Sequence, residues 1–266
     1  MKKTMLGLTA ITLFFAACKK DDASPETYYL SHIIEVGTDG NDTTFITYNA
    51  DNTFKELSYS YINNDILESY AQGPVYEGGK IVSIYEKNPD QPALHTISSF
   101  VYTAGVVSKV QYFGDRNGDG IEDTYRYDSL VYAGGKLAEL FEMNNGYNKK
   151  SVLTWEGNNV KVCSLYVKEG GADYVLNSVK KYTYDNKPGF QQLLGNYQWL
   201  SDVASVEYLS ANNVVKEEMF MNGELYSTFT DVYTFEGNLL KTIDSEDTFE
   251  SGSPDIYKVK LEYITR

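Results

Sequence analysis

The sequence is poor in the residues that most often carry chemistry. It has two cysteines and two histidines among 266 residues. His32 and His95 each stand apart from any Cys or His at ligand spacing, so neither a zinc site nor a Ser-His-Asp triad is indicated. No glycine-rich loop opens a helix, which leaves nucleotide phosphate binding without support. Basic residues are scarce too: 23 Lys and Arg stand against 37 Asp and Glu, a net charge of −14. Such a surface disfavours nucleic acid and anionic membranes, and favours cations or neutral partners such as glycans. A sustained helical stripe with caps is also missing, so strands are expected nearly everywhere.

What is present starts with an address. Lys2 and Lys3 precede a short apolar run, residues 5–17, which is too short to span a bilayer comfortably. It ends Phe15-Ala16-Ala17-Cys18, small residues just before a cysteine, as a lipoprotein signal peptidase requires. Residues 1–17 therefore read as a lipoprotein signal peptide and Cys18 as the lipidated first residue of the mature chain. Lys19-Lys20-Asp21-Asp22 follows and resembles the surface-export signal of Bacteroidota lipoproteins. Residues 18–26 read as the lipidated Cys with a flexible tether, and residues 27–266 as one all-β repeat domain. An acylated Cys18 gives a membrane partner through its lipid and an outer-membrane, surface-exposed location. It also leaves Cys163 without a disulfide partner. Cys163 falls at an apolar position of the repeat and reads as buried and inert. Without Lys2 and Lys3 the mature chain has 21 basic groups against 37 acidic ones, a net of −16.

Tyrosine is abundant, at 24 residues, and it marks a repeat. Tyr76 is followed by Ile81 and Ile84, Tyr102 by Val107 and Val110, Tyr132 by Leu137 and Leu140. Trp155 is followed by Val160 and Cys163, and Phe235 by Leu240 and Ile243. All five keep a spacing of five and then three. Tyr48, Phe54 and Leu57 form a copy with one extra turn residue, and Tyr208 to Val214 a looser one. Gly-Gly, Gly-Asn and Asn-Asn between marker and apolar residue allow the positive φ of tight hairpin turns. Markers from Tyr48 to Trp155 lie 28, 26, 30 and 23 residues apart, enough for two strands and two turns. The pattern predicts strands at 27–36, 43–48, 53–61, 66–76, 80–86, 94–102, 106–113, 124–132 and 136–143. It predicts further strands at 151–155, 160–167, 174–184, 203–209, 214–220, 225–235, 239–244 and 257–264. Residues 88–92, with two prolines, read as a loop, and 185–201 as a long break with a short helical turn near 190–194. Consecutive hairpins give an antiparallel meander, and so many strands must curl into a barrel, closed or nearly so, or into a folded sheet.

The units resemble the Tyr-Asp repeats of bacterial wall-associated and Rhs-type proteins, with the dipeptide at Tyr127-Asp128 and Tyr184-Asp185. Together with the lipobox and the Lys187-Pro188 break, the chain is similar to a family of Bacteroidota lipoproteins of unknown function with a porin-like fold. Gly189-Phe190 departs from the Asn-Pro expected there. The resemblance implies an antiparallel barrel-like sheet and supplies no catalytic residues. Charges inside most strands argue against a membrane-spanning pore, which needs an outward apolar band.

The sharpest local motif is the acidic loop 115–123. Asp115, Asn117 and Asp119 at alternate positions, with Gly120 after them, match the first half of a calcium loop. The Ile121 carbonyl and Asp123 complete the candidate Ca2+ set. Arg126 stands where a bidentate Glu is usual. The alternative is a plain hairpin tip, since Asp, Asn and Gly are turn residues anyway. Trp199, beside Tyr197, suits either sugar stacking or the plugging of a barrel end, and the plug is favoured. The expected function is a non-enzymatic surface binding module for a glycan or a partner outer-membrane protein. A polysaccharide- or peptide-degrading enzyme and a structural envelope protein are the alternatives. A glycosidase pair among the carboxylates cannot be recognised without their separation.

Overall fold

The computed structural model describes residues 27–37, 40–63, 66–89, 91–115, 123–144, 146–191, 199, 205–249 and 252–266. The signal peptide, Cys18 and the tether lie outside them. The strands are β1 (Tyr28–Val36), β2 (Asn41–Tyr48), β3 (Phe54–Asn63), β4 (Ile66–Glu77), β5 (Lys80–Asn88) and β6 (Gln91–Thr103). Then come β7 (Val106–Gly114), β8 (Asp123–Ala133), β9 (Lys136–Asn144), β10 (Tyr147–Glu156), β11 (Asn159–Glu169) and β12 (Val175–Pro188). A short helix, α1 (Val206–Leu209), precedes β13 (Asn212–Met221), β14 (Glu224–Glu236), β15 (Leu239–Phe249) and β16 (Asp255–Thr265). All neighbours pair antiparallel, and β1 pairs β16 from Tyr28↔Thr265 to Glu35↔Val259. The sheet is thus a closed barrel, which removes both exposed edges.

The five-then-three spacing has a structural cause. Gly134 and Gly135 both have positive φ, 59° and 79°, and turn the chain in two residues. Tyr132 pairs with Leu137, but Val131 pairs with Glu139, so Ala138 is an extra, bulged residue. The bulge restores the face that an odd spacing would lose. Leu137 and Leu140 therefore both point inward and are buried, Leu140 opposite Leu130. The same register shift sits beside Tyr48, Tyr76, Tyr102, Trp155 and Phe235.

Between hairpins the ladders stop short of the bulges. The β9–β10 pairing ends at Glu139↔Val152, the β11–β12 pairing at Val162↔Lys181 and the β15–β16 pairing at Thr242↔Lys260. Aromatic side chains take over there. Trp155 Nε1 donates to the Leu137 carbonyl at 2.8 Å, and the Tyr184 hydroxyl to that of Val160 at 2.5 Å. Tyr263 donates to Leu240, Tyr102 to Ile81, Tyr233 to Val214 and Tyr48 to Leu30, at 2.7 to 2.9 Å. Burial pushes the hydroxyls of Tyr48, Tyr184 and Tyr263 up to about 12, so they remain protonated donors. The two Tyr-Asp dipeptides are not equivalent. Tyr127 faces outward beneath Lys109, with Asp128 inward, whereas Tyr184 itself faces inward.

Fully buried side chains gather at the end of the barrel that carries these turns. In β5, β7 and β9 the two apolar repeat positions are buried, and the residues beyond them are only partly so. Among the described residues the opposite end is hollow. The outer wall carries ion pairs beside exposed apolar residues such as Val131, Val232 and Ile256: Lys258–Asp244 and Lys216–Glu218 pair at 2.7 Å in the middle of their strands. Lys150–Glu139 pair at 2.7 Å, and Lys87 meets Glu56 at 2.6 Å beside the Tyr85 hydroxyl. Tyr85 lies across Gly73, where a Cβ would fall inside the Tyr85 ring.

Three expectations need correction. Within the strand expected at 203–209, the described residues 205–209 form no strand; Val206–Leu209 is helical. β12 pairs directly with β13, Tyr182 opposite Glu217, so the closed ladder has no slot for another strand. The segment satisfies its backbone locally instead, with Ser210 N–H donating to the Val206 carbonyl at 2.9 Å. Residues 88–92 are not all loop, because Asn88 pairs with Gln91 and Pro92 lies inside β6. The next pair is Glu86↔His95, so Pro92 falls in a ladder irregularity where its missing N–H is not needed. The break at 185 starts later, since β12 runs to Pro188.

Leu137→Ala should cost about 2–5 kcal/mol in chemical denaturation. Val131→Ala, one pair away on the outer face and 42% exposed, should stay within about 0.5 kcal/mol. Equal effects at the two positions would contradict the inward register given by the bulge.

Candidate functional site

The described residues between β12 and β13 (189–191, 199 and 205–211) lie against the inside of the barrel, and hydrogen bonds fix them on both sides. The Asp185 carboxylate accepts from the Lys187 N–H at 2.9 Å and from Asn213 Nδ2 at 2.9 Å. Asn213 Oδ1 in turn accepts from the Phe190 N–H at 2.9 Å. Asn159 Oδ1 accepts from the N–H groups of Ala211 and Asn212, and Ser210 Oγ accepts from the Val160 N–H. Val206 and Gln191 are buried by this insertion. Trp199 packs edge-on against the buried Phe100, with ring centres 5.5 Å apart, which is the plugging role.

α1 divides the interior. On one side lies a chamber of about 670 Å³, within the range of small-molecule sites. Its aromatic wall comes from Tyr59, Tyr61 and Tyr70, with Phe190 and Tyr208 from the crossing segment. Tyr59 and Tyr70 are cross-strand partners on the inner face, stacked with centroids 4.5 Å apart, and Tyr61 meets Tyr70 edge-on. The Tyr61 hydroxyl donates to Glu68 at 2.6 Å. The polar wall holds Glu35, Asp42, Glu207 and Asp231. Glu35 and Asp42 are exposed at the rim, opposite each other in the β1–β2 ladder. Partial burial, then the Asp42 charge, raises the Glu35 carboxyl above its ordinary range. Burial likewise raises Asp231, against the lowering effect of hydrogen bonds from Ser245 and Tyr233.

On the other side a cavity of about 270 Å³ carries mixed charge, with Glu142, Lys149, Lys180 and Glu217. Lys180 pairs with Glu217 at 2.7 Å. Beside it the fully buried Asp128 takes two bonds from Arg126, at 3.0 and 3.1 Å, and one from the Tyr112 hydroxyl at 2.8 Å. Arg126 also reaches Glu142 at 3.3 Å. This closed network is structural, because its donors and acceptors are spent on one another.

The acidic loop lies at the hollow end. Asp115 follows β7, Asp123 opens β8, and Gly114 pairs with Asp123 at the loop's base. Asn117, Asp119 and Ile121 lie outside the described residues. Arg126, the misfit of the calcium pattern, is turned inward to Asp128. Among the described residues no group of three His, Cys, Asp or Glu is placed to hold a metal. Cys163 is half-buried on the inner wall rather than fully buried. His32 lies on β1, 3.2 Å from Glu262, and His95 on β6, so the two are not one site. Sequence reasoning missed the chamber's carboxylates and tyrosines. The alternation Ser58-Tyr59-Ser60-Tyr61 was the available signal, since it puts two tyrosines on one face of a strand.

Solved structures that resemble this chain include two porin-like proteins. A porin-like protein from Bacteroides uniformis superposes with a TM-score of 0.56 at 11% identity, covering 91% of this chain and 99% of that one. The fold is porin-like. A second porin-like protein, from Bacteroides vulgatus, gives a TM-score of 0.41 at 11% identity, covering 90% and 99%. No family model matches the chain, and no curated protein does either. At these identities the likeness concerns architecture alone.

Asp231→Asn tests the charge balance of the porin-like barrel's chamber. A carboxyl raised in the fold contributes stability below its unfolded pKa and loses it as pH rises through the folded value. The gain in thermal midpoint from Asn over Asp should therefore be larger near pH 7.5 than near pH 4, about the unfolded Asp value. A pH-independent difference would contradict the assigned burial of Asp231.

Proposed function

We propose that the chain is an outer-membrane lipoprotein, anchored through Cys18 and exposed at the cell surface, whose barrel is a non-enzymatic binding module. The lipobox at residues 15–18 supports the anchor. Ion pairs on the outer wall support a barrel that stands in water. A lysine facing lipid at mid-bilayer costs about 2–4 kcal/mol, and Lys216 and Lys258 both lie mid-strand on that wall. The observation that carries the binding role is the tyrosine-walled chamber of about 670 Å³ at the hollow end. Stacked rings beside carboxylates suit a glycan, with ring faces against sugar C–H groups and carboxylates accepting from hydroxyls. A glycan array probed with the chain from Ala23 onward, which keeps every strand of the barrel, is the direct test. Tyr70→Ala should weaken any glycan found there by about 2- to 10-fold. A blank array would remove the glycan reading and leave an envelope-protein partner. Release of reducing sugar from bound glycans would instead support the enzymatic alternative.

The acidic loop keeps its candidate role as a structural Ca2+ clip, through Asp115, Asn117, Asp119, Asp123 and the Ile121 carbonyl. Turning Arg126 into the barrel removes the cation that most opposes it. Calorimetric titration should show one calcium bound by wild type and none by Asp119→Ala. A flat wild-type titration would return the loop to an ordinary hairpin tip.

A further inference from the structure

Two of the cavities on the inner face, which share Glu207, differ in charge. In the smaller one acids and bases come together, and Glu217 and Glu142 are matched by Lys180, Lys149 and Arg126. The outer wall does the same. The tyrosine-walled chamber follows a different rule. Its lining includes four carboxylates and, among the described residues, no Lys, Arg or His. The described residues that the segment between β12 and β13 brings to this lining, Phe190, Gln191, Ser205, Glu207 and Tyr208, include no basic group. The described charges around the aromatic wall are thus of one sign.

Resting on the binding role proposed above, we infer that this chamber selects a ligand carrying protonated amines, an amino-sugar oligomer being the glycan class that fits. Two independent features point the same way. Concave low-dielectric walls focus the field of one-signed charges, so a cation gains more there than on an open surface. Stacked tyrosine faces attract both sugar C–H groups and ammonium groups, and a neutral sugar exploits only the first. Burial disfavours the anions of Glu35 at the rim and Asp231 deeper in, and an ammonium beside them relieves that cost. Glu207, carried on α1, sets the floor.

The test uses the full-length chain in detergent and two probes with the same sugar backbone. These are a glucosamine tetramer and its fully N-acetylated counterpart, titrated at about pH 6, where free amines are protonated. The free-amine tetramer should bind at least about 10-fold more tightly, and its affinity should fall with added salt. The double variant Glu35→Gln/Asp231→Asn should lose that margin. The wild-type comparison stands by itself should the variant fail to fold. Equal affinity for the two tetramers, or preference for the N-acetylated one, overturns the inference and leaves the glycan reading intact. Binding of neither overturns the inference too, and it reaches the glycan reading only when the wider array is also blank.

Discussion

Closure of the barrel depends on a bulge repeated at one end. A two-residue hairpin turn sets marker against apolar residue, Tyr132 against Leu137, and one extra residue after it returns the chain to the same face at Leu140. Without that residue, every second apolar side chain of the repeat would point into water. The bulge also leaves carbonyls beyond the reach of the neighbouring ladder. The aromatic marker of the next hairpin supplies the missing donor, as Trp155 does for Leu137 and Tyr102 for Ile81. Each net hydrogen bond of this kind is worth about 1 kcal/mol, and leaving such a carbonyl buried and unmet would cost about 1–3 kcal/mol. Hairpins are thereby stitched to one another side by side, Tyr48 ties β2 to β1 at Leu30, and the β1–β16 ladder closes the ring.

Because this stitching works at one end, the molecule is asymmetric along its axis. The turn end holds the apolar core and receives Trp199 and Val206 from the crossing segment. Among the described residues the other end has no such layer. Its inner face is free to carry polar and aromatic residues, and the chamber arises there. The stability of one end thus permits the variability of the other, the usual relation between scaffold and loops.

Charge placement separates fold from function. Porin-like describes the topology, and topology alone does not make a pore. The outer wall carries matched pairs such as Lys258–Asp244, suited to water. The buried Asp128, held by Arg126 and Tyr112, shows how the barrel treats a charge it needs for structure. The carboxylates around Tyr59 and Tyr70 follow a different rule, and that contrast is the strongest chemical statement the interior makes.

Local chemistry determined much of this protein before any tertiary contact. Gly134-Gly135 dictates a tight turn because both positions need positive φ, and the Tyr132–Leu137–Leu140 spacing already encodes the bulged hairpin. Strand identity, the antiparallel meander and the lipobox-like leader were legible for the same reason, since each depends on residues a few positions apart. Closure was not legible, because β1 meets β16 more than two hundred residues apart, and sequence alone left a curled sheet open. The helix at Val206–Leu209 was misread as a strand, since its apolar spacing of three matches the repeat and only the filled β12–β13 ladder excludes it. The chamber was invisible for a related reason. Glu35, Tyr59, Glu207 and Asp231 come from four distant segments, and only the closed ladder with its inward crossing brings them to one wall.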